Sequence, residues 1–122
     1  MMQERVFTRH LHTVWSIASS RYVGGFVIGY TSMSAKERFN GYRPHGFEYL
    51  VILADRLSMA EAHALEKRLQ DACKAGAARG EPYKRKYDPD YRDLPYYRSA
   101  GQGSRDPLGR THSVYMAWWE PA

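Results

Sequence analysis

Gly24-Gly25-Phe26-Val27-Ile28-Gly29-Tyr30-Thr31-Ser32 is the stretch on which the fold turns. Aromatic and β-branched residues framed by glycines predict a strand, and glycines within it predict a bulge or a close backbone approach. Upstream, Leu11 to Ala18 is a second run rich in Val, Ile and Trp. Ser19-Ser20-Arg21 joins it to Tyr22–Tyr30, so the simplest expectation is a β-hairpin. Downstream, Tyr49-Leu50-Val51-Ile52-Leu53 has no polar alternation and predicts a third, fully buried strand over Phe47 to Ala54.

Two helices fit around these strands. Ser34-Ala35-Lys36-Glu37 has capping-box spacing and predicts a short helix that runs to about Asn40 and stops at Gly41. Ser58-Met59-Ala60-Glu61 repeats the device and opens a helix toward Ala75, with Gly76 close to its end. Its apolar stripe is Ala62, Leu65, Leu69, Ala72 and Cys73, which must pack on the sheet. From Ala77 to Arg110 no period survives, and Gly, Pro, Tyr and charge dominate. His112 to Trp119 recovers a strand pattern and predicts a fourth strand at a sheet edge. The expected architecture is α+β, a small, mostly antiparallel sheet of three to four strands flanked by helices. Residues 1–78 form the core, and 79–122 form a basic, Tyr-rich extension ending in the added strand on the same domain.

At 122 residues the chain suits one core. A hydrophobic fraction of 43% and a charged fraction of 25% argue against wholesale disorder. A single cysteine, Cys73, leaves no intrachain disulfide, and no Cys/His cluster has zinc-site spacing, which suits a reducing cytoplasm. Neither a signal peptide nor a membrane span is expected. The net charge of +5 favours polyanions.

Read together, Val27-Ile28-Gly29 with Tyr30-Thr31-Ser32, Arg38 and Glu66 resemble the GIY-YIG nuclease family over roughly residues 11–75. In that family one strand carries Gly-Ile-Tyr and the next Tyr-Ile-Gly, followed by a helix with an arginine and a later helix with a glutamate. The resemblance implies a GIY-YIG-like fold and metal-dependent endonuclease chemistry on DNA or RNA phosphodiesters; as a partner, DNA is expected ahead of RNA. It gives Arg38 the phosphate, Glu66 a Mg²⁺ or Mn²⁺ ion, and Tyr42 or Tyr30 the water. Thr13-Val14-Trp15 falls near the place of the first signature, so Trp15 and Val27 stand at the approximate positions of the family tyrosines. Tyr22, Tyr30, Tyr42 and His45 are the substitutes within reach in the sequence.

The chemistry can be argued without the name. A phosphodiester under attack needs positive charge at its non-bridging oxygens, an activated water and a cation at the leaving oxygen. The planar fork of an arginine suits the first requirement. Arg38 and Tyr42, at i and i+4, share a helix face if the helix continues past Gly41. On a helical wheel Glu66 and Glu61 flank the apolar stripe at similar angles of about 70°, so periodicity does not choose between them. Lys84, Arg85, Lys86, Arg92 and Arg98, interleaved with tyrosines, are the candidate nucleic-acid contacts. Two rival functions share this sequence: a catalytically silent nucleic-acid-binding module, and a protein-interaction domain using the Tyr-rich extension and Trp118-Trp119.

Overall fold

A computed structural model describes residues 3–88 and 111–121. Among these residues three helices, α1 (Glu4–Ala18), α2 (Ala35–Tyr42) and α3 (Met59–Ala78), flank three strands, β1 (Gly25–Thr31), β2 (Tyr49–Leu57) and β3 (His112–Trp119). The sheet is antiparallel with order β1-β3-β2. A single 3₁₀ turn, Arg43–His45, follows α2, and another, Lys84–Lys86, follows α3. Among the described residues no helix is long and apolar enough to cross a membrane.

The strand expected over Leu11 to Ala18 is the second half of α1. Its Val, Ile and Trp content favours a strand, but the apolar positions recur at helical intervals once Phe7 is counted. Phe7, Val14 and Ala18 are buried, and Leu11, Trp15 and Ile17 pack beside them. There is consequently no hairpin between residues 11–18 and 22–30. The partner of β1 is β3, in a register that sets Gly25 opposite Trp119 and Gly29 opposite Tyr115.

That pairing corrects two further expectations. β3 is the third strand and the central one, where an edge position was expected, which explains why Val114, Tyr115, Met116 and Ala117 are all buried. β2 in turn lies at the edge, so Leu50 to Ala54 are half-buried rather than fully enclosed, and Tyr49 is exposed. An unalternating apolar run marks a strand covered on both faces, but it cannot say whether a neighbour lies on each side.

Both capping boxes form. Ser34 accepts from the Glu37 amide and Ser58 from the Glu61 amide, while each glutamate reaches back to the cap amide. The helices outlast their expected ends, with α2 passing through Gly41 to Tyr42 and α3 through Gly76 to Ala78. Helix α1 and helix α3 cover one face of the sheet, burying Phe26, Ile28, Val114 and Met116 against Ala62, Leu65, Leu69 and Cys73. On the other face Val27, Tyr115 and Ala117 pack with Tyr42 and Phe47.

Lys86 ties the segment after α3 back to α1. Its ammonium donates to the carbonyls of Ala18 at 2.7 Å and Ser20 at 2.9 Å, where the helix ends and a cation is favoured. Lys86→Met should therefore cost about 1–3 kcal/mol of unfolding free energy. Urea denaturation checks this, with an unchanged m-value expected because the surface exposed on unfolding stays the same.

Candidate active site

Helix α2 and the middle of the sheet bring three polar side chains together. Arg38 and Tyr42 lie one turn apart on the face of α2 that meets the sheet, and Tyr115 rises from β3 between them. Arg38 Nε–H donates to the Tyr115 hydroxyl at 3.1 Å, and the hydroxyls of Tyr42 and Tyr115 share a short hydrogen bond. The guanidinium also lies over both rings, 4.9 Å from the Tyr42 centroid and 5.7 Å from that of Tyr115. Arg38 is only 8% exposed and Tyr115 fully buried, so this is a cation built into the interior rather than a surface charge.

A glycine makes the arrangement possible. Gly29, directly opposite Tyr115 in the ladder, has no side chain, and a Cβ there would collide with the Tyr115 hydroxyl. The ring consequently lies across β1. At the other end of the strand Gly25 makes room in the same way for the Trp119 indole.

Helix α3 supplies the carboxylate. Gln70 Nε2 donates to the Ile28 carbonyl at 2.8 Å, which fixes the helix along the outer edge of β1. Glu66 lies one turn earlier and is 7% exposed. Its negative charge is felt by the Tyr115 phenol. The two glutamates stand in different surroundings. Glu61 is an exposed cap, its carboxyl held below the usual value by the Ser58 amide and hydroxyl, while Glu66 is buried and its charge acts on the Tyr115 phenol.

The local electrostatics keep the Tyr115 phenol neutral. Burial pushes the Tyr115 phenol above its ordinary range, outweighing the pull of Arg38 and Tyr42, and the Glu66 charge adds to the rise. Burial acts to lower Arg38, but its interactions with Tyr115 and Tyr42 prevail and hold it above its usual value. At neutral pH the site presents a guanidinium beside the protonated Tyr115 hydroxyl.

The remaining expected residues lie elsewhere. Tyr30 faces the α3 side of the sheet, its ring 5.7 Å from His63 and 6.1 Å from His112, and is not brought together with Arg38. Trp15 is in α1, edge-on to Tyr83. Tyr22 is exposed and accepts from Arg21 at 2.8 Å. Lys84 is spent internally, 2.6 Å from Glu81 and 4.5 Å from the Trp15 ring centroid, and Lys86 holds the end of α1. Arg85 is exposed, and Arg92 and Arg98 lie outside the described residues. A cleft of about 500 Å³ between Ile17, Tyr22, Tyr49, Trp118 and Glu120 contains none of the clustered residues.

Among the described residues no group of three or more His, Cys, Asp or Glu side chains could hold a metal ion. A Mg²⁺ or Mn²⁺ ion at Glu66 would have one protein ligand from this set and would need water and phosphate oxygens to complete its shell. Tyr115 was missed in the sequence because its strand read as an aromatic edge; the glycine in the middle of β1 was the signal that something large lay across it. The chain matches no family model, no curated protein and no solved structure, so the site is read from its own geometry.

Proposed function

We propose that the Arg38–Tyr42–Tyr115 cluster and Glu66 form the active centre of a metal-dependent endonuclease that cleaves DNA or RNA phosphodiester bonds, with DNA the first substrate to test. The observation that carries this reading is a buried arginine locked by two phenols beside a buried carboxylate. Two tyrosine side chains hold this one guanidinium. A site that must hold a phosphate in one orientation gains from such preorganisation.

In this mechanism Arg38 grips the non-bridging oxygens of the scissile phosphate. Tyr42 and Tyr115 hold the guanidinium and orient the attacking water through hydrogen bonds; Tyr115, its phenol raised by burial, does so as the protonated hydroxyl rather than as a resident phenolate base. Glu66 would hold the divalent cation, which when bound polarises the phosphoryl group and acidifies a water. Cytoplasmic location remains part of this proposal.

The resemblance to GIY-YIG nucleases gains a different form. The strand beside Val27-Ile28-Gly29 does carry a tyrosine, but it comes from the far end of the chain as Ser113-Val114-Tyr115. On this reading β3 stands in for the first signature strand, in permuted order, and Tyr115 fills the role for which Trp15 is unsuited.

Incubating the protein with single- and double-stranded DNA and RNA, with Mg²⁺, Mn²⁺ or EDTA, should give cleavage that requires metal. Glu66→Ala should reduce it at least 100-fold, on the order of the loss of one electrostatic contact in the transition state, with circular dichroism unchanged. Salt-sensitive binding without nicking under every metal condition would instead identify a silent binding module. Tyr115→Phe removes only the hydroxyl that accepts from Arg38. It should lower kcat about 10- to 100-fold, comparable to misplacing a positioning group, with little change in KM.

A further inference from the structure

Past the end of α1 at Ala18, the cleft of about 500 Å³ is lined by Ile17, Tyr22, Val23, Tyr49, Trp118 and Glu120. None of these residues belongs to the Arg38 cluster, so the nuclease reading leaves them without a role. Tyr22 and Tyr49 are two of the three large apolar side chains that are exposed among the described residues, and both line this one cleft.

The lining is held by the backbone around it. Tyr49 and Trp118 are cross-strand partners whose rings stack at 5.5 Å between centroids, 23° from parallel. The Gly24 amide donates to the Trp119 carbonyl at 2.7 Å, and the lack of a Cβ at Gly24 admits the backbone of Pro121. Those contacts pin the turn that carries Tyr22 and Val23 beside Glu120. Within the turn, the Val23 amide donates to the Ser20 carbonyl and the Tyr22 amide to Ser20 Oγ, each at 3.1 Å. A cleft already shaped in this way binds at little cost in ordering.

Its electrostatics select the sign of a ligand. The Tyr49 hydroxyl donates to Glu120 Oε2, and the Glu120 amide donates to the Glu48 carboxylate at 2.9 Å. The bond to Glu120, and then the charges of Glu120 and Glu48, hold the Tyr49 phenol above its ordinary value, so the Tyr49 side of the cleft is negative. Two cations stand nearby. Lys86 is bonded to the Ala18 and Ser20 carbonyls at the end of α1. Arg21 donates to the Tyr22 hydroxyl, and its guanidinium lies 5.0 Å from the Tyr22 centroid. One ring of the lining thus already carries a cation.

We propose that this cleft binds an alkylammonium group, the cation resting against the Tyr49, Trp118 and Tyr22 rings and facing the Glu120 carboxylate. Aromatic faces attract a cation, and methyl groups on the nitrogen replace N–H donors that the rings would leave unsatisfied. The volume exceeds that of one headgroup, and the aliphatic stem lies along Ile17 and Val23. A nucleotide would bring its phosphate toward Glu48 and Glu120, like against like. The site is therefore separate from the proposed nuclease centre and stands or falls without it.

NMR titration of the full chain tests this with choline, with trimethyllysine amide, and with the carbon isostere of choline in which tert-butyl replaces trimethylammonium. Both cations should shift the Trp118 indole and Tyr49 ring resonances saturably, and the neutral isostere should bind about 5- to 30-fold more weakly than choline. Tighter binding of trimethyllysine amide would assign the ligand to a side chain, and tighter binding of choline to a free amine; both support the site. Glu120→Gln keeps an acceptor for the Tyr49 hydroxyl but removes the charge. It should weaken choline about 2- to 5-fold and leave the isostere unchanged. Tyr49→Leu keeps the apolar bulk without the ring and should weaken choline about fivefold. Where that variant does not fold, the comparison of choline with its isostere on the unaltered chain decides. Equal affinity for choline and its isostere, or no saturable shift into the tens of millimolar, would overturn the proposal.

Discussion

Everything in this structure depends on β3 lying between β1 and β2. Among the described residues each outer strand bonds only to β3 within the sheet, so without residues 112–119 neither has a sheet partner there. The same strand fills both cores: Val114 and Met116 face α1 and α3, and Tyr115 and Ala117 face α2. Pairings between residues near opposite ends of a chain carry a large loop-closure cost, and the four buried residues in succession, Val114 to Ala117, are what offset it here.

The candidate site follows from that one strand. Tyr115 is placed by the ladder, Gly29 leaves it room, and its hydroxyl then fixes both Arg38 and Tyr42. Glu66 arrives independently, because α3 is registered on the edge of β1 through Gln70. Removing the ring would leave a buried guanidinium without one of its acceptors, so site geometry and core packing are tied through one residue. Cys73 shows the contrasting case of a buried polar group with a purely structural role. Burial pushes its thiol up to about 12, which leaves it protonated and unreactive within the apolar cluster of α3.

Local signals in the sequence were legible and long-range ones were not. The Ser34 and Ser58 capping boxes could be read directly, because each is a contact between residues three apart. The strands β1 and β2 could be read from composition, and so could the apolar stripe of α3. The N-terminal helix was hidden because its second half is rich in strand-forming residues and its decisive apolar position, Phe7, lies outside that run. The place of β3 was hidden for a different reason: strand order is set by which pairings close the core, and nothing local distinguishes a central strand from an edge one. Arg38 and Tyr42 were legible as an i, i+4 pair, and Glu66 needed the fold to separate it from Glu61. Tyr115 is 73 residues from Tyr42 and could be joined to it only by the sheet.

The most direct test of this account is the cross-strand contact of Tyr115. NOESY spectra of the labelled protein should show inter-strand contacts from Tyr115 to Gly29 on one side and to Ile52 on the other, with helical sequential contacts through residues 11–18. Inter-strand contacts between residues 11–18 and 22–30, with none from Tyr115 to Gly29, would contradict it and remove the basis for the site.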